Sequence, residues 1–140
     1  MKESLQSGMT FTHRYQVPLQ KTVPHVFEES ELFQDMPPVF ATAFMVSLME
    51  WACMEALRPH MDEGDISLGT NICVSHTAAT PPGMTVEVVV TLLEVNGPKT
   101  RWAIVARDEK DVIGEGTHER FTIRREKFVG IVAKKAAAPG

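Results

Sequence analysis

The chain has little of what usually staples or marks a small protein, and each shortage narrows the reading. Only two cysteines occur in 140 residues, Cys53 and Cys73, both inside apolar stretches and without a CxxC or Cys/His spacing. That pattern argues against a disulfide framework or a zinc site and predicts reduced, buried thiols, with no metal. Glycine-rich phosphate cradles of the GxxxxGK or GxGxxG kind are missing, so a nucleotide-bearing ligand would be held by backbone and surface basic residues. No apolar signal core follows Met1-Lys-Glu-Ser-Leu-Gln-Ser-Gly8. The longest apolar run, Phe40 to Leu57, carries two glutamates and is short for a bilayer span. A soluble, cytoplasmic protein with no membrane partner is expected.

Positive charge is scarce over most of the length. Residues 1–98 hold four basic and twelve acidic side chains, whereas ten basic and six acidic side chains follow from Lys99 onward. The net charge of −4 speaks against nonspecific binding to nucleic acid. Arg101, Arg107, Arg120, Arg124, Arg125 and Lys127 are candidates for a positive region that receives an anionic ligand, although solvated strand faces and a basic tail are the favoured account of such residues.

The most informative residue present is Glu50, at the centre of Phe40-Ala-Thr-Ala-Phe-Met-Val-Ser-Leu-Met-Glu-Trp-Ala-Cys-Met-Glu-Ala-Leu57. On a helix its neighbours three, four and seven places away are Ala43, Val46, Ser47, Cys53, Met54 and Leu57, all small or apolar. An unpaired carboxylate is costly to remove from water. It finds a partner or takes up a proton, and such acids concentrate at active sites.

The surrounding pattern supplies the architecture. Alternation from Met9 to Val17 predicts a half-buried strand with His13 on its apolar side. The punctuated segment 21–39 reads as a lid, with a short helix from Glu29 or Ser30 carrying Leu32, Phe33 and Met36 before Pro37-Pro38 stops it. The long helix from about Phe40 ends near Arg58-Pro59. Period two then runs through Ser67–Ala79, Met84–Val95, Thr100–Asp108 and Val112–Ile123. Short turns at Pro81-Pro82-Gly83, Asn96-Gly97-Pro98 and Asp108–Asp111 predict antiparallel pairing of successive strands as a meander.

One domain over 1–130 is expected, of class α+β, with a flexible tail at 131–140. Only a curved five-stranded antiparallel sheet wrapped around the helix buries all its faces, which is the hot-dog fold. The free sheet edge and the open helix side predict a homodimer.

Thr42, two turns upstream of Glu50, and His76 are polar residues able to meet the acid. Period two puts Thr70, Ile72, Val74 and His76 on one inward face. Taken singly, an inward histidine is ordinarily a core residue bonded to backbone, and a threonine at a helix start is ordinarily a cap. His118 and Arg120 share a strand face with Gly114 and Gly116, whose missing side chains allow close approach. By itself His118 reads as structural.

Read together, the blocks Phe11-Thr-His13, Phe40-Ala-Thr42, Phe44-Met-Val46, Leu48-Met-Glu-Trp-Ala-Cys53, Ser67-Leu-Gly-Thr70, His76-Thr-Ala-Ala-Thr-Pro-Pro-Gly83, Gly116-Thr-His-Glu-Arg120 and Glu126-Lys-Phe128 resemble the fluoroacetyl-CoA thioesterases among the hot-dog acyl-CoA thioesterases. The resemblance spans nearly the whole chain. It implies hydrolysis of a short-chain acyl-CoA, most of all fluoroacetyl-CoA, without a cofactor, and a role in fluoroacetate resistance. It implies Thr42, Glu50 and His76 as catalytic residues, a Gly69 N–H near the acyl carbonyl, Arg120 as the pocket arginine, and Phe33 and Met36 as lid residues against the substrate. One departure is visible: the family lid has two phenylalanines three apart, and here the second position is Met36. Two other readings stay open at this stage, an enoyl-CoA hydratase or dehydratase on the same fold and a noncatalytic acyl-CoA-binding protein.

Overall fold

The computed structural model describes residues 1–137. Strand β1 (Thr10–Gln16) leads through short 3-10 turns to α1 (Glu31–Gln34) and the long helix α2 (Thr42–Leu57). Four strands follow, β2 (Asp65–Val74), β3 (Thr85–Asn96), β4 (Lys99–Arg107) and β5 (Val112–Arg124), and then helix α3 (Arg125–Ala137). All pairings are antiparallel, in the order β1-β3-β4-β5-β2.

The expected simple meander holds only for β3, β4 and β5. β2 forms one edge and pairs with β5, so the segment 75–84 crosses the sheet from that edge to β3, which lies one strand in from the opposite edge. The burial patterns account for this order. β3 alternates strictly, with Val86, Val88, Val90 and Leu92 fully buried, as a strand deep in the sheet does. β2 has five exposed residues in succession, Gly69 to Cys73, as fits an edge strand, so that of the two thiols expected to be buried only Cys53 is.

α2 forms because residues 42–57 contain neither proline nor glycine, and it stops where Pro59 removes a donor and the chain tightens into a 3-10 turn at Arg58–His60. Met45, Leu48, Met49, Ala52, Cys53 and Leu57 pack into the sheet against β3 valines, Trp102, Ile104 and Ile113. The helix is not enclosed on every side in the single chain. Thr42, Ala43, Ser47, Trp51 and Met54 form an exposed stripe, because one five-stranded sheet curls around only part of a helix whose circumference is nearly all apolar.

The lid helix α1 starts at Ser30, whose Oγ accepts from Phe33 N at 3.3 Å. Phe33 stacks on Phe27 with ring centroids 5.6 Å apart, and Met36 follows the helix, 49% exposed. The tail expected to fray at 131–140 is helical as far as Ala137, and its last three residues lie outside the described residues. Among the described residues no helix is long and apolar enough to cross a membrane.

Candidate active site

Glu50 projects from the open side of α2 toward β2 and β5. Its Oε2 lies 2.9 Å from Nη1 of Arg120, a residue only 3% exposed. The glutamate side chain retains 36% exposure, so the dry surroundings expected from the helical wheel are absent in the single chain. The wheel identified the neighbours along the helix but not the gap beside β2.

Arg120 is held by four hydrogen bonds. Its Nε donates to Ser67 Oγ at 3.0 Å and its Nη2 to Ser67 O at 2.9 Å, while Nη1 faces both Glu50 and His118 Nε2, the latter at 3.1 Å. With these donors engaged inside the protein, Arg120 acts on Glu50 rather than presenting a free cation to solvent.

Gly69 is where the carboxylate fits. A Cβ at this position would stand 2.5 Å from Glu50 Oε2, 3.3 Å from His118 and 3.4 Å from Arg120 Nη1, so a side chain here would push the acid from its place beside the arginine. Val46, Glu50, Gly69, Thr70, Asn71, Ile72 and His118 line an open cleft of about 420 Å³. The close approach predicted at Gly114 and Gly116 is backbone rather than ligand: carbonyls of Ser75 and Cys73 occupy the space.

Thr42 and His76 form a second group. Thr42 Oγ1 lies 2.7 Å from His76 Nδ1, at the first turn of α2, where the leading N–H groups have no partner within the helix. His76 belongs to the loop after β2, not to the strand. This loop is pinned at Thr80, which is fully buried, accepts from Phe40 N at 2.8 Å and donates to Asp108 at 2.9 Å. Burial opposes the charge of Asp108, but the amides of Lys110 and Asp111 and the Thr80 hydroxyl hold its carboxyl below the usual range. The fixed loop carries His76 to the helix start. Burial lowers the His76 pKa, so at neutral pH the ring is neutral and Nδ1 can accept from the Thr42 hydroxyl.

The three expected residues therefore stand as a pair and a separate acid. Thr42 bonds His76 and not Glu50, and eight residues of helix place the two about 12 Å apart along the axis. Sequence reasoning also missed Ser67, whose position two before Gly69 on one strand was the available signal. Of the candidate positive region, Arg120 points inward and Arg124 pairs with Asp65 at 3.3 Å. Cys53 beside this cluster is inert, with burial pushing its thiol up to about 12.

Comparison with known proteins gives the family of the chain. The profile of the FlK family, fluoroacetyl-CoA-specific thioesterases, matches residues 21–126. The chain belongs to that family. A fluoroacetyl-CoA thioesterase of Streptantibioticus cattleyicolor is 51% identical over 138 residues, covering 99% of each chain. A crystal structure of FlK superposes with a TM-score of 0.92 at 50% identity, covering 96% of this chain and 98% of that one. A single-residue variant of that enzyme, solved with fluoroacetate and CoA, superposes at 0.87 with 53% identity over 89% of this chain and 99% of its own. More distantly, a thioesterase superfamily member from Thermus thermophilus matches at 0.83 and 28% identity, over 94% and 93% of the two chains. The fold is the hot-dog fold.

Proposed function

We propose that the protein is a homodimeric thioesterase that hydrolyses short-chain acyl-CoA, with fluoroacetyl-CoA as its foremost substrate, to the free acid and coenzyme A. The observation that carries this reading is Glu50, a carboxylate held by a buried arginine against a glycine at the wall of an open cleft. Water is the co-reactant and no cofactor is required. Reduced cysteines fit a cytoplasmic location.

A dimer supplies what the single chain lacks. The exposed stripe of α2 and the unpaired edge of β2 adjoin the cleft, and a two-fold axis near Val46 would set two α2 helices antiparallel. Thr42 of one copy then faces Glu50 of the other, since the two positions lie equally far from residue 46. The cleft closes, and the acid gains the threonine and histidine as neighbours.

In the closed site Glu50 delivers the oxygen that attacks the acyl carbon, its own or that of a water it deprotonates. The developing oxyanion is met by N–H groups at the first turn of α2, beside Thr42, and by that of Gly69. Where water attacks, Glu50 takes its proton and His76 relays it to the departing sulfur. Where Glu50 attacks, His76 takes the proton from the water that opens the acyl-enzyme anhydride and passes it to the thiolate, so that either route consumes one water per C–S bond broken. For a fluorinated acyl group, whose α-proton is unusually acidic, an alternative route has His76 act as base at that carbon. Phe33 and Met36, which do not line the cleft in the single chain, would close over the acyl end as its lid.

The test is thiol release from fluoroacetyl-, acetyl-, propionyl- and longer acyl-CoA. Turnover highest with fluoroacetyl-CoA supports the proposal. Binding without thiol release, or hydration of an enoyl-CoA with the thioester intact, would sink it.

A further inference from the structure

Sequence reasoning left His118 without a role, yet its surroundings fix both its proton and its purpose. The ring is 1% exposed on β5, between Ile72 of β2 and Trp102 of β4 in register. Its Nδ1 lies 2.6 Å from the carbonyl oxygen of Asn71, at the point where the β2–β5 register shifts. A carbonyl only accepts, so Nδ1 carries the hydrogen. Nε2 then presents a bare lone pair, and the group facing it at 3.1 Å is Arg120 Nη1, which only donates. That Nη1 has two hydrogens, and Glu50 Oε2 at 2.9 Å takes the other.

We infer that His118 is a positioning residue for the hydrolytic reaction: its neutral, Nδ1-protonated ring receives one hydrogen of Arg120 Nη1 and so aims the other at Glu50. The inference rests on the thioesterase reading of Glu50. Ser67 alone grips the guanidinium from its far side, through Nε and Nη2. Without His118, the Nη1 corner that meets the acid loses its only other anchor among the described residues. A reacting carboxylate displaced by about 1 Å loses roughly a hundredfold in rate, which is the scale of effect at stake. Burial and the neighbouring guanidinium both keep the ring neutral, in accord with the tautomer that the hydrogen bonds require.

The tautomer is read directly from the ¹⁵N shifts of His118 in the intact protein, with the Nδ1–H form expected and the Nε2–H or doubly protonated form at neutral pH overturning the inference. Kinetically, His118→Phe keeps the ring volume and removes the acceptor. It should lower kcat roughly 30-fold to 100-fold and leave KM within about threefold. His118→Gln, whose amide oxygen can reach the Nε2 position, should recover to within about fivefold of wild type. In an Arg120→Lys background the same Phe substitution should cost less than about twofold more, since its effect passes through Arg120. A merely structural histidine would instead add its full cost there, and that result overturns the inference. A wild type that releases no thiol from any acyl-CoA removes the thioesterase reading as well, whereas an active wild type matched by His118→Phe removes this inference alone.

Discussion

The two ends of the candidate site are built differently. At the β5 end, Glu50 is one point in a bonded lattice of Arg120, Ser67, His118 and the Asn71 carbonyl, and Gly69 leaves no slack beside it. At the other end, Thr42 and His76 share a single hydrogen bond, and His76 Nε2 is buried with no partner among the described residues. Under the proposed dimer, the acid is preorganised by its own chain and the threonine–histidine pair meets it from the second copy.

The largest effect should come from removing the charge at the rigid end. Glu50→Gln keeps the shape and should lower kcat on fluoroacetyl-CoA by about 10³-fold or more with circular dichroism unchanged. Thiol release near the wild-type rate would show that the lattice holds a structural residue. Next, Gly69→Ala pushes a methyl into the space of Glu50 Oε2, where Arg120 resists any shift. A kcat loss of about 10²-fold with a small change in Tm is expected, and an inactive, unfolded variant would instead mark Gly69 as a backbone requirement.

Acid should distinguish folded from unfolded chains more gently. His76 and His118 both have lowered pKa values in the folded protein, chiefly from burial, with Arg120 adding its charge at His118. The unfolded chain therefore binds more protons. Their contribution to stability is complete above about pH 6.5 and is lost as pH falls through the folded values. Melting curves across that window should show Tm falling with acid, less steeply in His118→Gln, and an equal slope in both proteins would contradict the assignment. Smallest of all, Met36→Phe stiffens the lid beside the Phe27–Phe33 pair and should change the fluoroacetyl-to-acetyl preference in kcat/KM by roughly threefold to tenfold. An unaltered ratio would place Met36 away from the acyl group.

How much of this was legible in the residues follows the range of the forces involved. Local patterns sufficed for the strand count, the end of the long helix near Pro59 and the presence of a lid helix, because period and proline act over a few positions, whereas that lid helix stops at Gln34, short of Met36 and Pro37. Strand order was not legible: a ten-residue connection permits β2 to pair with β3 or to cross the sheet, and only the three-dimensional fit of α2 decides. The same holds within the site. Glu50 stood out on the wheel, but its partner Arg120 lies seventy residues on, and the bond between them depends on a glycine and a register shift in β2. His76 was assigned to the face of a strand that ends two residues earlier. His118 read as structural because nothing local reveals which carbonyl fixes its tautomer.

The claim that the acid of one copy works with the threonine of the other has a direct test in mixed dimers. Thr42→Val and Glu50→Gln proteins, each nearly inactive, are co-refolded in equal amounts and assayed for thiol release from fluoroacetyl-CoA. Half of the dimers then carry one site with Thr42 and Glu50 both intact, so about a quarter of wild-type activity should return. No recovery from dimers shown to have mixed would place each site within a single chain and contradict the account.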